Sequence, residues 1–180
     1  MKQFFLVLFV IAAQIGFPQA VSLSQARTMY FSMDIEKSAA LKLFNLMEVE
    51  IQTSVPVLLA YKGASSAASA GLVDGVTNKF SYFRKGKVDL EKAVRLDPKN
   101  PEIRFLRLAT QTNAPGFLFY KSDISEDKKI VLEGLFGLFS RKTDKSLALN
   151  MAKFLLRFDS LTEKEKLLVK QLYLRYEQND

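Results

Sequence analysis

The sequence predicts an all-α protein built from four antiparallel helix hairpins. Apolar side chains recur three and four residues apart through most of the chain, the spacing of one buried helix face. Only 8 Gly and 5 Pro occur in 180 residues, too few for the many tight turns of an all-β domain. Helix-stopping and helix-starting residues also follow one another closely, as at Asp97-Pro98 and Asn100-Pro101, which indicates short connections between helices.

The first twenty residues have the pattern of a secretory signal peptide. Lys2 precedes ten apolar residues, Phe4 to Ala13, and a helix-breaking segment covers 16–20. Cleavage near Ala20 predicts one domain, residues 21–180, in the periplasm or secreted. The alternative is an uncleaved N-terminal anchor, although ten apolar residues are short for a bilayer span. No second apolar span follows, so no membrane crossing is expected after cleavage.

Four helices are predicted in the first half of the domain. The first covers about 22–33 and the second about 35–51. Ser54 and Pro56 open a third, which continues through the small residues of 63–71. A looser interpretation makes that tract a flexible linker, but its four Ala and lack of Pro favour a helix. Gly71 and Gly75 mark a loop before the fourth helix, about 77–96.

The clearest local signal separates the fourth and fifth helices. Pro98 cannot continue a helix, Asn100 is a good N-cap, and Pro101 suits the first position of a new helix. We therefore predict a structural turn at Pro98, Asn100 and Pro101, and a fifth helix over about 102–112.

Three further helices complete the pattern. An apolar turn at 117–120 precedes a sixth helix over about 123–139. Asp144 is predicted to cap a seventh helix, and Ser160 with Glu163 to form the capping box of an eighth. Hairpins then start near residues 22, 55, 100 and 144, a recurrence of about 33–45 residues that is typical of helical-repeat solenoids.

The stretch from Leu90 to Glu102 resembles the junction between two tetratricopeptide repeats (TPRs). Ala93 and Pro98 match the small packed residue and the helix-ending proline, and Gly86 precedes them at another small position. The resemblance implies a short TPR-like helical repeat array. The next helix departs from the family, which has an aromatic residue, a Leu and a Gly at the positions of Arg104, Arg107 and Leu108.

The longer segment 81–115, together with Tyr120, is also similar to a group of small exported proteins of Gram-negative bacteria without an assigned activity. That resemblance implies an envelope location and a helical fold. It implies no particular chemistry.

The composition excludes most catalytic chemistry. The chain contains no Cys and no His, so disulfides, thiolate nucleophiles, imidazole bases and metals held by those residues are ruled out. No cofactor is predicted. Hydrolysis by carboxylates alone needs paired acids across a cleft or a buried acid. Glu48 with Glu50, and Glu126 with Asp127, are assigned instead to solvated helix faces. No enzyme is therefore expected, and a carboxylate-dependent hydrolase stays the third alternative.

A polar face of the fifth helix is the candidate partner-binding site. Arg104, Arg107 and Gln111 occur at i, i+3 and i+7 of this helix, and inner faces of repeat arrays present such side chains to ligands. The candidate residues are Arg104, Arg107, Gln111, Asn113 and Tyr120. In the structural alternative, Arg104 pairs with Glu102 or Asp97, Asn113 closes the helix, and Tyr120 packs on the loop.

The net charge of +7 suits an acidic partner or an anionic envelope surface, or it only keeps the protein soluble. Basic residues between 79 and 107 alternate with aromatics that helical spacing places on the buried face, so nucleic acid is not expected. The leading expectation is a non-enzymatic exported interaction or scaffold module of the cell envelope, with another envelope protein as partner. The alternative is a small-ligand or glycan-binding carrier with a pocket lined by 117–120 and ringed by Arg104 and Gln111.

Overall fold

A computed structural model describes residues 21–49 and 55–177, and in these ranges all regular structure is helical. The fold is therefore all-α, as predicted. Short 3-10 turns lie at 32–34, 116–118 and 142–144. The helices are α1 (Leu23–Phe31), α2 (Ala39–Val49), α3 (Pro56–Ser69), α4 (Val76–Leu96), α5 (Pro101–Asn113), α6 (Ile124–Ser140), α7 (Lys145–Leu156) and α8 (Glu163–Glu177).

Three predictions concern residues outside these ranges. The predicted signal peptide, residues 1–20, is outside the described part of the chain, as are the expected end of the second helix at Ile51 and the expected start of the third at Ser54. Among the described helices, none is both long enough and apolar enough to cross a membrane.

Local sequence signals set the start of several helices. The Ser22 hydroxyl accepts a hydrogen bond from the Gln25 amide at 3.1 Å and so caps α1. Asn100 Oδ1 accepts from the amides of Glu102 and Ile103 at 3.0 and 3.3 Å, and Pro101 occupies the first turn of α5. Since α4 ends at Leu96, the turn predicted at Pro98, Asn100 and Pro101 is confirmed.

Two predicted caps are wrong in detail. The capping box of α8 is formed by Thr162 and Glu165, whose side chains each accept from the other's backbone amide at 3.3 and 2.7 Å. Ser160 with Glu163 therefore does not form it. Asp144 does precede α7, but its carboxylate makes no cap hydrogen bond and instead accepts from Arg27 and Arg141.

The small-residue tract forms the buried helix α3, which confirms the helical interpretation over the linker. It packs most extensively on α4, and the two backbones meet at Gly63 and Gly86. A Cβ added at Gly86 would lie 2.6 Å from the Ala67 backbone nitrogen, which is too close for any side chain. Glycine at these two positions therefore permits the closest helix contact in the fold. Ala93, further along α4, is also fully buried.

Helix α1 contacts several helices besides α2, its neighbour in sequence. Its Tyr30 ring meets Tyr61 of α3 edge-on at 5.5 Å, and Phe31 lies 5.9 Å from Phe105 of α5. Arg27 extends further and binds Asp144, the residue before α7, at 3.0 Å. In a regular repeat array each unit contacts only its neighbours. Here α1 connects α3, α5 and the start of α7.

Candidate functional site

The polar face predicted on α5 is turned inward against α6. Arg104 and Arg107 are only 4% and 3% exposed, and Gln111 and the facing Asp127 are fully buried. A buried charge is costly unless an opposite charge and hydrogen bonds compensate it. The geometry around Asp127 provides both.

Asp127 is the centre of this buried charge cluster. Arg107 binds it through two nitrogens, Nε to Oδ2 at 2.7 Å and Nη2 to Oδ1 at 2.8 Å. Arg104 Nη1 donates a third hydrogen bond to Oδ1 at 2.8 Å. One carboxylate thus joins two guanidinium groups, and charge-assisted bonds of this kind are the strong ones in proteins.

Further acceptors take up the remaining donors of both arginines. Arg104 donates to Glu126 Oε1 at 3.1 Å and to the Pro98 carbonyl at 2.7 Å. Arg107 Nη1 donates to Glu91 Oε2 of α4 at 2.8 Å. Burial by itself would lower the pKa of Arg107, but the adjacent carboxylates outweigh it and hold that pKa above its usual value. Arg107 therefore stays charged inside the fold.

Tyr120 extends the charge cluster towards α4. Its hydroxyl donates to Glu91 Oε1 at 2.7 Å, and its ring meets Phe83 edge-on at 5.8 Å. The ammonium group of Lys87 lies 4.9 Å from the centre of the same ring. Burial and the neighbouring Glu91 carboxylate raise the pKa of Tyr120 well above its usual value.

Gln111 and Asn113 lie at the end of α5. Gln111 Nε2 donates to Asp123 Oδ2 at 3.2 Å, while its Oε1 is the one buried side-chain polar atom of the described residues without a hydrogen-bond partner. A hydrogen bond from Ser122 and the positive charge of the nearby Arg107 lower the pKa of Asp123. Asn113 is exposed, and its amide donates to the Ala109 carbonyl at 2.8 Å, closing the helix as the structural alternative proposed.

The prediction that this face of α5 is exposed is therefore wrong. Four of the five candidates are buried, and their donors bind internal acceptors, so these four do not form an exposed surface. The sequence assigned Arg104 to Glu102 or Asp97, but its partners are Asp127 and Glu126. Asp127 was also assigned to a solvated face and is fully buried. A partner-binding role is left only for Asn113.

A second charge cluster was not predicted. Arg27 of α1 donates to both oxygens of Glu102, at 2.7 and 2.6 Å, and to Asp144 at 3.0 Å. The Tyr61 hydroxyl donates to Glu102 Oε1 at 2.7 Å, and burial raises the pKa of Tyr61. Tyr61 and Arg27 are 41 and 75 positions from Glu102 in the sequence, so no local pattern could indicate these contacts.

An apolar pocket opens on the other side of α5. It has a volume of about 430 Å³, is partly open to solvent, and lies between α3, α4, α5 and the turn that follows α5. Its walls are mostly small side chains from α3 and α5. They include Ala64, Ala67, Ala68, Ala109 and Ala114.

The mouth of the pocket carries larger side chains. Phe80 of α4 and Phe117 of the turn are 48% and 65% exposed, and their ring centres are 6.2 Å apart. Lys79 is the only charged residue in the lining, and Thr110 and Asn113 are polar. The described residues therefore bring an apolar chamber and one cation together.

The pocket only partly matches the sequence expectation. Of the predicted lining 117–120, Phe117 and Leu118 line the pocket. Phe119 has a left-handed backbone, with φ of 48°, and is 88% exposed, whereas Tyr120 packs behind on Phe83. Arg104 and Gln111 do not ring the opening, because the side of α5 that carries them faces α6. The Ala wall was missed, since Ala and Ser in a helix indicate close packing more often than a cavity.

The described residues contain no group of three or more acidic side chains placed to hold a metal ion. The lining of the apolar pocket includes no Asp or Glu. The buried acids Glu102 and Asp127 are bound to arginine.

Comparison of the chain with protein-family models, with curated proteins and with solved structures found no match. The function must therefore be inferred from the geometry of the molecule itself.

Proposed function

We propose that this protein is a non-enzymatic, exported binding module of the cell envelope that takes up the apolar group of a ligand between α3, α4 and α5. The observation that carries the proposal is the pocket of about 430 Å³ with an alanine wall and exposed Phe80 and Phe117 at its mouth. An apolar cavity of about 150 Å³ is enough to bind benzene, and ligand pockets are commonly about 300–1,000 Å³.

The same proposal includes a TPR-like arrangement of four hairpins. Its support is that α3 packs most on α4, α5 on α6 and α7 on α8, each helix with its successor in the chain. Ala93 and Gly86 of α4 also occupy buried positions, as the resemblance implies. The contacts of α1 with α5 and α7 are a departure from a regular array.

The chemistry of the pocket favours an apolar ligand over a glycan. Sugars need several polar side chains arranged around their hydroxyls, whereas most residues of this lining are apolar. The Thr110 hydroxyl already donates to the Leu106 carbonyl at 2.8 Å. Among carriers, one for an apolar molecule therefore fits best. Export rests on the apolar N-terminal run, and the absence of enzymatic activity on the lack of Cys and His.

A second candidate is a protein-interaction module, the leading expectation from the sequence. Exposed apolar side chains favour it, because they mark surfaces that other proteins cover. Phe117 and Phe119 project from the turn after α5 with 65% and 88% exposure. In this case an apolar side chain of another envelope protein would enter the pocket.

Binding of Nile red, a neutral apolar dye, tests the proposal. We expect saturable binding by fluorescence and at least a tenfold weaker affinity in Ala68→Phe, because Ala68 is exposed, lines the pocket and can carry a larger side chain without disturbing the core. Gln171→Phe places the same side chain on the exposed face of α8 and serves as the control. Equal binding by wild type and Ala68→Phe would contradict the proposal.

A pull-down from envelope extract separates the two candidates. Retention of one protein by wild type and Gln171→Phe, but not by Ala68→Phe, would favour the interaction module. Dye binding without such retention would favour the carrier.

A further inference from the structure

The walls and the mouth of the apolar pocket together point to the chemical class of its ligand. We infer that the pocket binds a single-chain anionic amphiphile, a fatty acid, with its alkyl chain against the alanine wall and its carboxylate beside Lys79. This inference rests on the proposed function and goes one step further, from an apolar ligand to one with a negative head group.

The shape of the lining suits an unbranched alkyl chain. Much of the wall from α3 and α5 is alanine, such as Ala64, Ala68 and Ala109, so that part of the wall presents only methyl groups. Burial of an alkyl chain contributes about 0.8 kcal/mol per methylene group. Phe80 and Phe117 at the mouth would be partly covered by the same chain.

The charge at the mouth selects the head group. Lys79 lies on α4 next to Phe80, is exposed, and has no carboxylate partner among the described residues. No acidic side chain lines the pocket, so nothing there would repel an anion. Lys87, two turns further along α4, lies over the Tyr120 ring and adds positive charge on the same side of the helix.

Its position beside the apolar pocket distinguishes Lys79 from the other basic residues. Arg27, Arg104 and Arg107 are bound to buried carboxylates, and on the neighbouring surface of α4 Lys85 pairs with Glu48 at 3.4 Å. A cation beside an apolar chamber and without an acid of its own is complementary to an amphiphile with a negative head. The exposed Oδ1 of Asn113 can accept a hydrogen bond, but only from a protonated head group.

Competition against Nile red tests this inference on the purified protein. The probes are dodecanoate, dodecanol and dodecyltrimethylammonium, which share an alkyl chain and differ in head charge, used below the concentrations at which they form micelles. We expect dodecanoate to displace the dye at a concentration at least tenfold lower than dodecanol, and the cationic probe to be the weakest.

Variants of α4 assign the difference to one side chain. Lys79→Gln should bring dodecanoate close to dodecanol and leave dodecanol itself unchanged. Lys85→Gln removes one exposed positive charge from the same helix, away from the pocket, and should leave the preference intact. Circular dichroism melts of both variants should match wild type, since both side chains are exposed.

These experiments distinguish failure of the anionic ligand from failure of the apolar site. If Nile red binds in the pocket but dodecanoate and dodecanol compete equally, or if Lys79→Gln keeps the preference, the anionic ligand is overturned while the apolar site survives. If Nile red does not bind, or Ala68→Phe binds it as well as wild type does, both the site and its ligand are overturned.

Discussion

Two sides of α5 differ in how they meet the rest of the protein. The side carrying Arg104 and Arg107 packs on α6, and Asp127 with its neighbours accepts most of the donors that these side chains offer. The side carrying Ala109 and Asn113 borders an apolar pocket whose mouth exposes two phenylalanines. The charged side resembles a recognition surface in sequence but is internal. The apolar side resembles a core in sequence but is open.

This difference shows why residue type alone does not locate a binding site. A charged side chain is free to bind a partner only if the fold leaves it without an internal one. An apolar side chain belongs to the core only if the fold covers it. The charge cluster should therefore control stability, and the pocket should control binding, and separate variants of the two sides can test that division.

The largest effect is expected at Asp127. Replacing it by Asn removes the charge that two buried arginines share, and breaking a buried ion pair from one side costs about 3–5 kcal/mol. Urea unfolding should show this loss. Glu126→Gln is the control, because that side chain is 59% exposed and its pair with Arg104 contributes about 0–1 kcal/mol. Similar stabilities of the two variants would mean that the buried cluster does not hold α5 on α6.

The contact between α3 and α4 should give the next largest effect. Gly86→Ala places a Cβ against the backbone of Gly63 and Ala67, and we expect a loss of about 1–3 kcal/mol from overpacking. Because Ala67 lines the pocket, Nile red affinity should fall as well. The matched control is Gly137→Ala in α6, which meets no atom within 4 Å and should stabilise the helix by about 0.5–1 kcal/mol. Two equally stable variants would contradict the close packing of α3 on α4.

Tyr120 contacts both the charge cluster and Phe83, and its titration should change the stability of the protein at alkaline pH. The pKa of Tyr120 is raised in the folded state, so above about pH 10 the unfolded chain releases a proton that the native protein keeps. Stability should then fall by up to about 1.4 kcal/mol per pH unit. Tyr120→Phe should unfold more easily at pH 7, through the lost hydrogen bond to Glu91, but show a weaker decline above pH 10. Parallel pH profiles for the two proteins would count against this role.

The smallest effect is expected at Asp123. Its pKa is lowered in the folded state, so its contribution is present above the unfolded value of about 3.9 and is lost as pH falls through the folded value. Between pH 6 and pH 3 wild type should lose up to about 1 kcal/mol more stability than Asp123→Asn, since partial exposure weakens the interaction. Asp159→Asn changes an exposed side chain elsewhere on the surface and should follow wild type.

The helices could be predicted from the sequence because their signals are local. Asn100 and Pro101 mark the start of α5 within three residues, and apolar stripes give the buried face of each helix without reference to any other. The capping box of α8 was displaced by two residues because Ser160 and Thr162 both precede a Glu at the same spacing. Only the hydrogen bonds of the fold distinguish them.

The candidate site could be predicted only in part, because its partners are distant in the chain. The spacing of Arg104 and Arg107 correctly placed both on one side of α5, but Asp127 and Glu91 are 20 and 16 residues from Arg107. Nothing in a single sequence indicates which helix covers that side. The open pocket is formed by residues of α3, α4, α5 and the turn after α5, which are likewise distant in the chain.

The contacts of α1 affect how the domain unfolds. An open row of hairpins can lose its end units one at a time, since each is held only by the next. Here Arg27 ties the first helix to Glu102 and Asp144, and Asp34 lies 3.4 Å from Arg157 at the end of α7. The beginning of the domain is thereby fastened to its second half. Amide hydrogens of α1 and α7 should exchange through one shared opening of the whole structure, so that the domain melts as a single cooperative unit.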